Sequence, residues 1–214
     1  TTKSMSYKEL VSKEAQQPDW YCCHWWGESI CDFIACIEAH HKLRGEKMES
    51  AYWICAFANS QHDLGIEIAD DPEKSSFRKA MQVARGVLLL LDHEATPFQR
   101  IWCDYELYKT VLDDSKDLDI VTMGDDPQRR QTSPQILAEL PGESAVAKTR
   151  RESFFPIGVL ARAISAKLED GEATVMKDKE RILYYMRQQR PGDGEDAEDA
   201  VVVANKTLNA FFAW

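Results

Sequence analysis

With 214 residues the chain is long enough to bury a sizeable core, as one large domain or two small ones. A formal net charge of -10 argues against general nucleic-acid binding, which calls for a basic face. The dense basic sites are Arg129-Arg130 and Arg150-Arg151. No apolar run approaches the roughly 20 residues that span a bilayer, so neither nucleic acid nor membrane is an expected partner.

The opening "TTKSMSYKEL" has no apolar h-region and does not read as a signal peptide; it also lacks an initiator Met, as a fragment or processed form would. Six cysteines, at 22, 23, 31, 36, 55 and 103, form no CxxC pair and no regular framework. They read as reduced, mostly buried thiols of a cytoplasmic protein.

Residues 1–19 are a polar lead-in. "WYCCHWW" (20–26) is a short apolar run closed by Gly27, a candidate strand. Ile30, Phe33, Ile34 and Ile37 then fall at i, i+3, i+4 and i+7, an amphipathic helix ending at Gly45. "AYWICAF" (51–57) is a second candidate strand, rich in aromatic and β-branched residues. After a long loop, Ser75 or Ser76 caps a helix whose apolar face is Phe77, Ala80, Met81 and Ala84, ended by Arg85-Gly86. "VLLLLD" (87–92) reads as a strand buried on both faces, as in the middle of a parallel sheet. A helix over about 101–112 follows, and "LDIVTMG" (118–124) makes a fourth strand. Four strand–helix alternations in this span predict a doubly wound, mostly parallel α/β sheet of flavodoxin type.

Residues 125–152 read as an insertion with one short helix near Pro134–Leu140. Beyond it, Ile157, Leu160, Ala161 and Ile164 fit a helix, while Ile164, Ala166 and Leu168 equally fit a fifth strand. Ile182, Leu183 and Met186 lie on a further helix. Residues 191–214 read as an acidic hinge followed by a last packing helix, so that one α/β domain over 20–190 carries a helical C-terminal extension.

The order of these pieces resembles a Toll/interleukin-1 receptor (TIR) domain over roughly residues 20–124. The resemblance rests on "CHWWGES" after the first strand, the long loop from Asn59 to Lys74, and "SSFRKAMQVARG". It also rests on "VLLLLD" and on "WCDYEL" (102–107), which matches the family's W-C-x-x-E-L helix. The usual Arg in the first turn is replaced here by Trp25-Trp26. Such domains are either scaffolds acting by self-association or NAD+ hydrolases. In the enzymes, the Glu four residues after the Trp is catalytic, which by resemblance makes Glu106 the catalytic carboxylate. Substrate would then meet Trp25, Trp26, Gly27, Glu28, Ser60, His62 and Trp102. NAD+ is a substrate in that chemistry, with no separate cofactor and no metal.

Physical chemistry is consistent with that assignment. Nicotinamide leaves a pyridinium as a neutral molecule, so the site needs no general acid; it needs one carboxylate about 3 Å from a ribosyl cation. Trp102 stands one turn before Glu106 and can offer an aromatic wall to the pyridinium, worth about 0.5–2 kcal/mol. The bland reading of Glu106 is a surface carboxylate paired with Lys109 or Arg100, and that of Trp102 is core. Trp25 and Trp26 alternate along the expected strand, which would send at least one of them into the core. His24 with Cys22-Cys23 lacks zinc-site spacing, and His40-His41 suits a helix C-terminus rather than a metal. "DGEDAED" (193–199) reads as a solvated hinge rather than a calcium loop. No GxGxxG, P-loop or GxSxG motif is present.

Overall fold

A computed structural model describes residues 5–62, 71–126, 131–188 and 199–212. Its centre is a five-stranded sheet of β1 (Trp20–Cys23), β2 (Tyr52–Trp53), β3 (Gly86–Leu91), β4 (Asp117–Asp126) and β5 (Gln131–Leu137). The spatial order is β2-β1-β3-β4-β5; the first four strands are parallel and β5 runs antiparallel to β4. The helices are α1 (Tyr7–Val11), α2 (Ile30–Arg44), α3 (Cys55–Ala58), α4 (Ser76–Val83) and α5 (Ile101–Val111). After the sheet come α6 (Ala145–Glu152), α7 (Ile157–Ser165), α8 (Met176–Gln188) and α9 (Ala200–Phe212).

Every residue of β3 is buried, because side chains that alternate across the sheet meet helices on each face. One face carries Tyr21, Cys23, Val87, Leu89, Leu91 and Ile120 into a core shared with α4, α5 and α7 to α9. The other carries Trp20, Cys22, Leu88, Leu90 and Val121 against Phe33 and Cys36 of α2. Among the described residues no helix is long and apolar enough to cross a membrane.

Several expectations are corrected. The first strand stops at Cys23, where Cys23 pairs with Leu89, and Trp25 and Trp26 lie beyond it in a turn; neither is core. The second strand keeps only Tyr52 and Trp53, the two residues that find partners on Trp20 and Tyr21, and the chain enters α3 at Cys55. On α2 the buried row is Phe33, Cys36 and His40, while Ile30 and Ile34 are 57% and 49% exposed.

Gly86 does not cap a helix; it opens β3, where a Cβ would meet the Trp20 ring. The helix expected near Pro134–Leu140 is the edge strand β5, in which Pro134 opposite Met123 is tolerated because, among the described residues, no strand pairs with its other side. Residues 157–165 resolve as helix α7. Ser75 caps α4 through Arg78 N–H as expected, and Gly45 ends α2 in the left-handed region. Of the acidic stretch 193–199, only Asp199 lies within the described residues.

Candidate functional site

The site is built where the chain parts around the sheet. α2, which follows β1, packs on one face, and α5, which follows β3, packs on the other, so the chain diverges at the C-terminal ends of the neighbouring strands β1 and β3. Asp92, just past β3, accepts from the Thr96 N–H and Oγ1 at 2.6 Å each and fixes the turn into α5. His24, just past β1, sits 2.9 Å from Glu28 through Nδ1 and 3.6 Å from the Cys55 thiol through Nε2. Trp26 donates its indole N–H to Cys55 Sγ at 2.8 Å.

Glu106 lies beneath this turn, 5% exposed, on the buried face of α5. It is not a surface carboxylate: Lys109 reaches Glu73 at 2.9 Å, and Arg100 donates to Thr174 at 2.8 Å. The Tyr21 hydroxyl and the Cys23 thiol hydrogen-bond its carboxylate. Burial pushes the Glu106 carboxyl up to about 7, against the opposing pull of those two hydrogen bonds and of His24. Cys103, one turn earlier on α5, turns its thiol to the His24 carbonyl at 3.7 Å. The sulfurs of Cys23 and Cys103 and a Glu106 oxygen all lie within 4.8 Å of one another.

The sequence-expected residues divide into three groups. Trp25, Trp26, Gly27 and Glu28 form the turn above β1, with the Trp25 ring folded over Gly27 and Trp26 52% exposed. Trp102 is half-buried and makes its ring contacts with Phe77 at 6.0 Å and Tyr105 at 6.3 Å, while its N–H points to Asp178 Oδ2 at 3.5 Å. It therefore belongs to an aromatic row that continues from Phe77 to Trp53 and on to Tyr21, the residue bonded to Glu106. Ser60 is buried just after α3 and its Oγ accepts from the His62 N–H at 3.4 Å, with His62 itself exposed. Of the loop expected over the site, residues 63–70 lie outside the described residues.

Sequence reasoning missed Tyr21, Cys23 and Cys103 as neighbours of Glu106. Two local signals pointed to them: Tyr21 and Cys23 share one face of a strand, and Cys103 and Glu106 share one face of a helix. Their convergence is a tertiary fact. Also missed was Asp104, 1% exposed, whose two carboxylate oxygens have no hydrogen-bond partner among the described residues. Burial alone raises its carboxyl well above the ordinary range. A second buried network lies on the opposite face: His40 Nδ1 is 2.8 Å from Tyr52 Oη, and His40 Nε2 is 2.8 Å from Asp119 Oδ2. Arg44 donates twice to Asp119, at 2.7 and 2.6 Å.

No protein-family model, no curated protein and no solved structure matches the chain.

Proposed function

We propose that the chain is a doubly wound, TIR-like domain that cleaves NAD+ at the nicotinamide–ribose bond, with Glu106 as the single catalytic carboxylate. The observation that carries this reading is the enclosed Glu106 carboxylate near the ends of β1 and β3, held by Tyr21 and Cys23 one helical turn from Trp102. The strand order 2-1-3-4-5 supports it, since ligands of such sheets bind where the strand order reverses.

In this reaction the C1′–N bond breaks and nicotinamide leaves with the bonding electron pair as a neutral molecule. Glu106 then faces the ribosyl cation in a site that water reaches poorly, where one negative charge counts for far more than in solution. A water, or the adenine ring in a cyclising variant of the reaction, supplies the electron pair that closes the cycle. The Tyr21 O–H keeps the carboxylate aimed; Trp25, Trp26 and Trp102 are the aromatic surfaces available to the nicotinamide and adenine rings. A related N-ribosyl enzyme acting on nucleosides would use the same carboxylate.

A different observation favours a second, non-enzymatic reading as a self-associating signalling module. Ile30 and Ile34, one turn apart on the outer side of α2, are 57% and 49% exposed, and Trp26 in the turn before the helix is 52% exposed.

The deciding experiment is nicotinamide release from NAD+ by the purified chain beside Glu106→Ala, at low and at high protein concentration. Release by the parent and a loss of about 100-fold or more in the variant supports the enzyme. Equal release from both removes Glu106 from the mechanism. No release from either, with concentration-dependent assembly, supports the module.

A further inference from the structure

Cys22 and Cys23 are adjacent in sequence, yet strand alternation sends them to opposite faces of the sheet: Cys22 packs with α2 and Cys23 with α5. Cys23 therefore meets a cysteine 80 positions away. Its thiol lies 4.0 Å from the Cys103 carbonyl, and the Cys103 thiol lies 3.7 Å from the His24 carbonyl. Glu106 closes the triangle from the next turn of α5, and all three residues are buried.

We propose that Cys23, Cys103 and Glu106 form a binding site for a thiophilic divalent cation of the zinc type. Tetrahedral zinc with two sulfurs at about 2.3 Å and one oxygen at about 2.0–2.2 Å sets its donors roughly 3.5–3.8 Å apart. The three ligand atoms already lie within 4.8 Å of one another, so small rotamer adjustments close the site. Two sulfurs and a carboxylate select a soft or borderline cation over magnesium or calcium, which want oxygen alone.

The Tyr21 hydroxyl, bonded to the same carboxylate, supplies the outer partner that orients a metal ligand. Binding converts two thiols to thiolates and releases two protons to solvent. The fourth position of a tetrahedral ion falls to a solvent molecule. The site shares Glu106 with the proposed reaction, so a chain holding the metal cannot offer that carboxylate to NAD+. Metal binding itself stands or falls independently of NAD+ cleavage.

The test is a titration of the reduced, purified chain with Co2+, read by thiolate-to-cobalt charge-transfer absorption, with Zn2+ added in competition. One Co2+ per chain, displaced by Zn2+, is the expected result. Cys23→Ser and Cys103→Ser should each weaken binding by roughly 100-fold or more, since loss of an outer-shell partner alone costs about 10–100-fold. Cys31→Ser, which removes the exposed thiol, should leave binding unchanged. Full-strength binding in the Cys23→Ser/Cys103→Ser double variant, or its loss in Cys31→Ser, would overturn the site.

X-ray absorption on the zinc-loaded parent chain needs no variant to fold: sulfur in the first shell supports the site, and nitrogen and oxygen alone sink it. Metal binding as described in a chain that never releases nicotinamide would leave this site in place and remove the preceding reading instead.

Discussion

Tyr105 donates its phenolic O–H to Glu73 Oε1 at 2.7 Å, and Lys109 and Arg78 reach the same carboxylate at 2.9 and 3.0 Å. Tyr105 and Lys109 belong to α5, so Glu73 ties the turn at Pro72–Lys74 to the helix that bears Glu106. Burial alone would raise the Glu73 carboxyl; the hydrogen bonds from Tyr105, Lys109 and Arg78 outweigh it and hold it at about 2. A depressed folded-state value means that the stabilisation is present above the unfolded value of about 4.5 and is lost as pH falls through about 2. Glu73→Gln should therefore cost about 2 kcal/mol at neutral pH, allowing for partial exposure, and progressively less on acidification. Urea midpoints of both proteins across that range check it; a gap that does not shrink with acid would reject the account.

Asp119 is fully enclosed and receives both His40 and Arg44. Removing the acid leaves the His40 imidazole without its Nε2 partner and the Arg44 guanidinium with only the more distant Asp117 carboxylate at 3.7 Å. Asp119→Ala should destabilise the fold by about 3–5 kcal/mol in chemical unfolding. Because this network lies on the α2 face, metal affinity of any Asp119 variant that still folds should match the parent.

Asp104 presents the opposite case, a buried carboxyl with nothing to bond. Gly171 closes over it, for a Cβ there would stand 2.9 Å from Asp104 Oδ2. Asp104→Ala removes two orphaned oxygens from α5 at the cost of a small void, and a gain of about 1 kcal/mol is expected. Differential scanning calorimetry decides the sign; a lower melting temperature would show that the carboxyl is held by a partner.

Gly86 tests the packing at the entry to the central strand. An added methyl would stand 2.5 Å from Trp20 Cζ3 and 2.9 Å from the Asp117 carbonyl, and the backbone oxygen cannot step aside. Gly86→Ala should lose about 1–3 kcal/mol by overpacking. A variant as stable as the parent in urea would mean that β1 and β4 are looser here than the geometry implies.

Local periodicity made much of the molecule legible. The unbroken apolar run of β3, the Ser75-capped α4, the Gly45-ended α2 and the helix of Glu106 each satisfy a rule that operates within one or two turns of chain. The alternation of these pieces was enough to expect a mostly parallel α/β sheet. Glu106 is singled out through the resemblance of "WCDYEL" to the W-C-x-x-E-L helix, the Trp–Glu spacing alone being equally at home on a surface turn.

What required the tertiary structure involves residues distant in the chain. β5 carries a proline and few apolar side chains, so its strand character comes from lying against β4, not from its own pattern. The face that α2 buries is set by His40 finding Asp119 79 positions away, which outweighs burial of Ile30 and Ile34. Trp25 and Trp26 look like strand residues until β1 runs out of partners at Cys23. The enclosure of Glu106 by Tyr21, Cys23 and Cys103 was likewise invisible, because the sheet decides which faces of β1 and α5 meet. Spacing along a chain encodes which side of an element a residue occupies; only packing decides what stands opposite it.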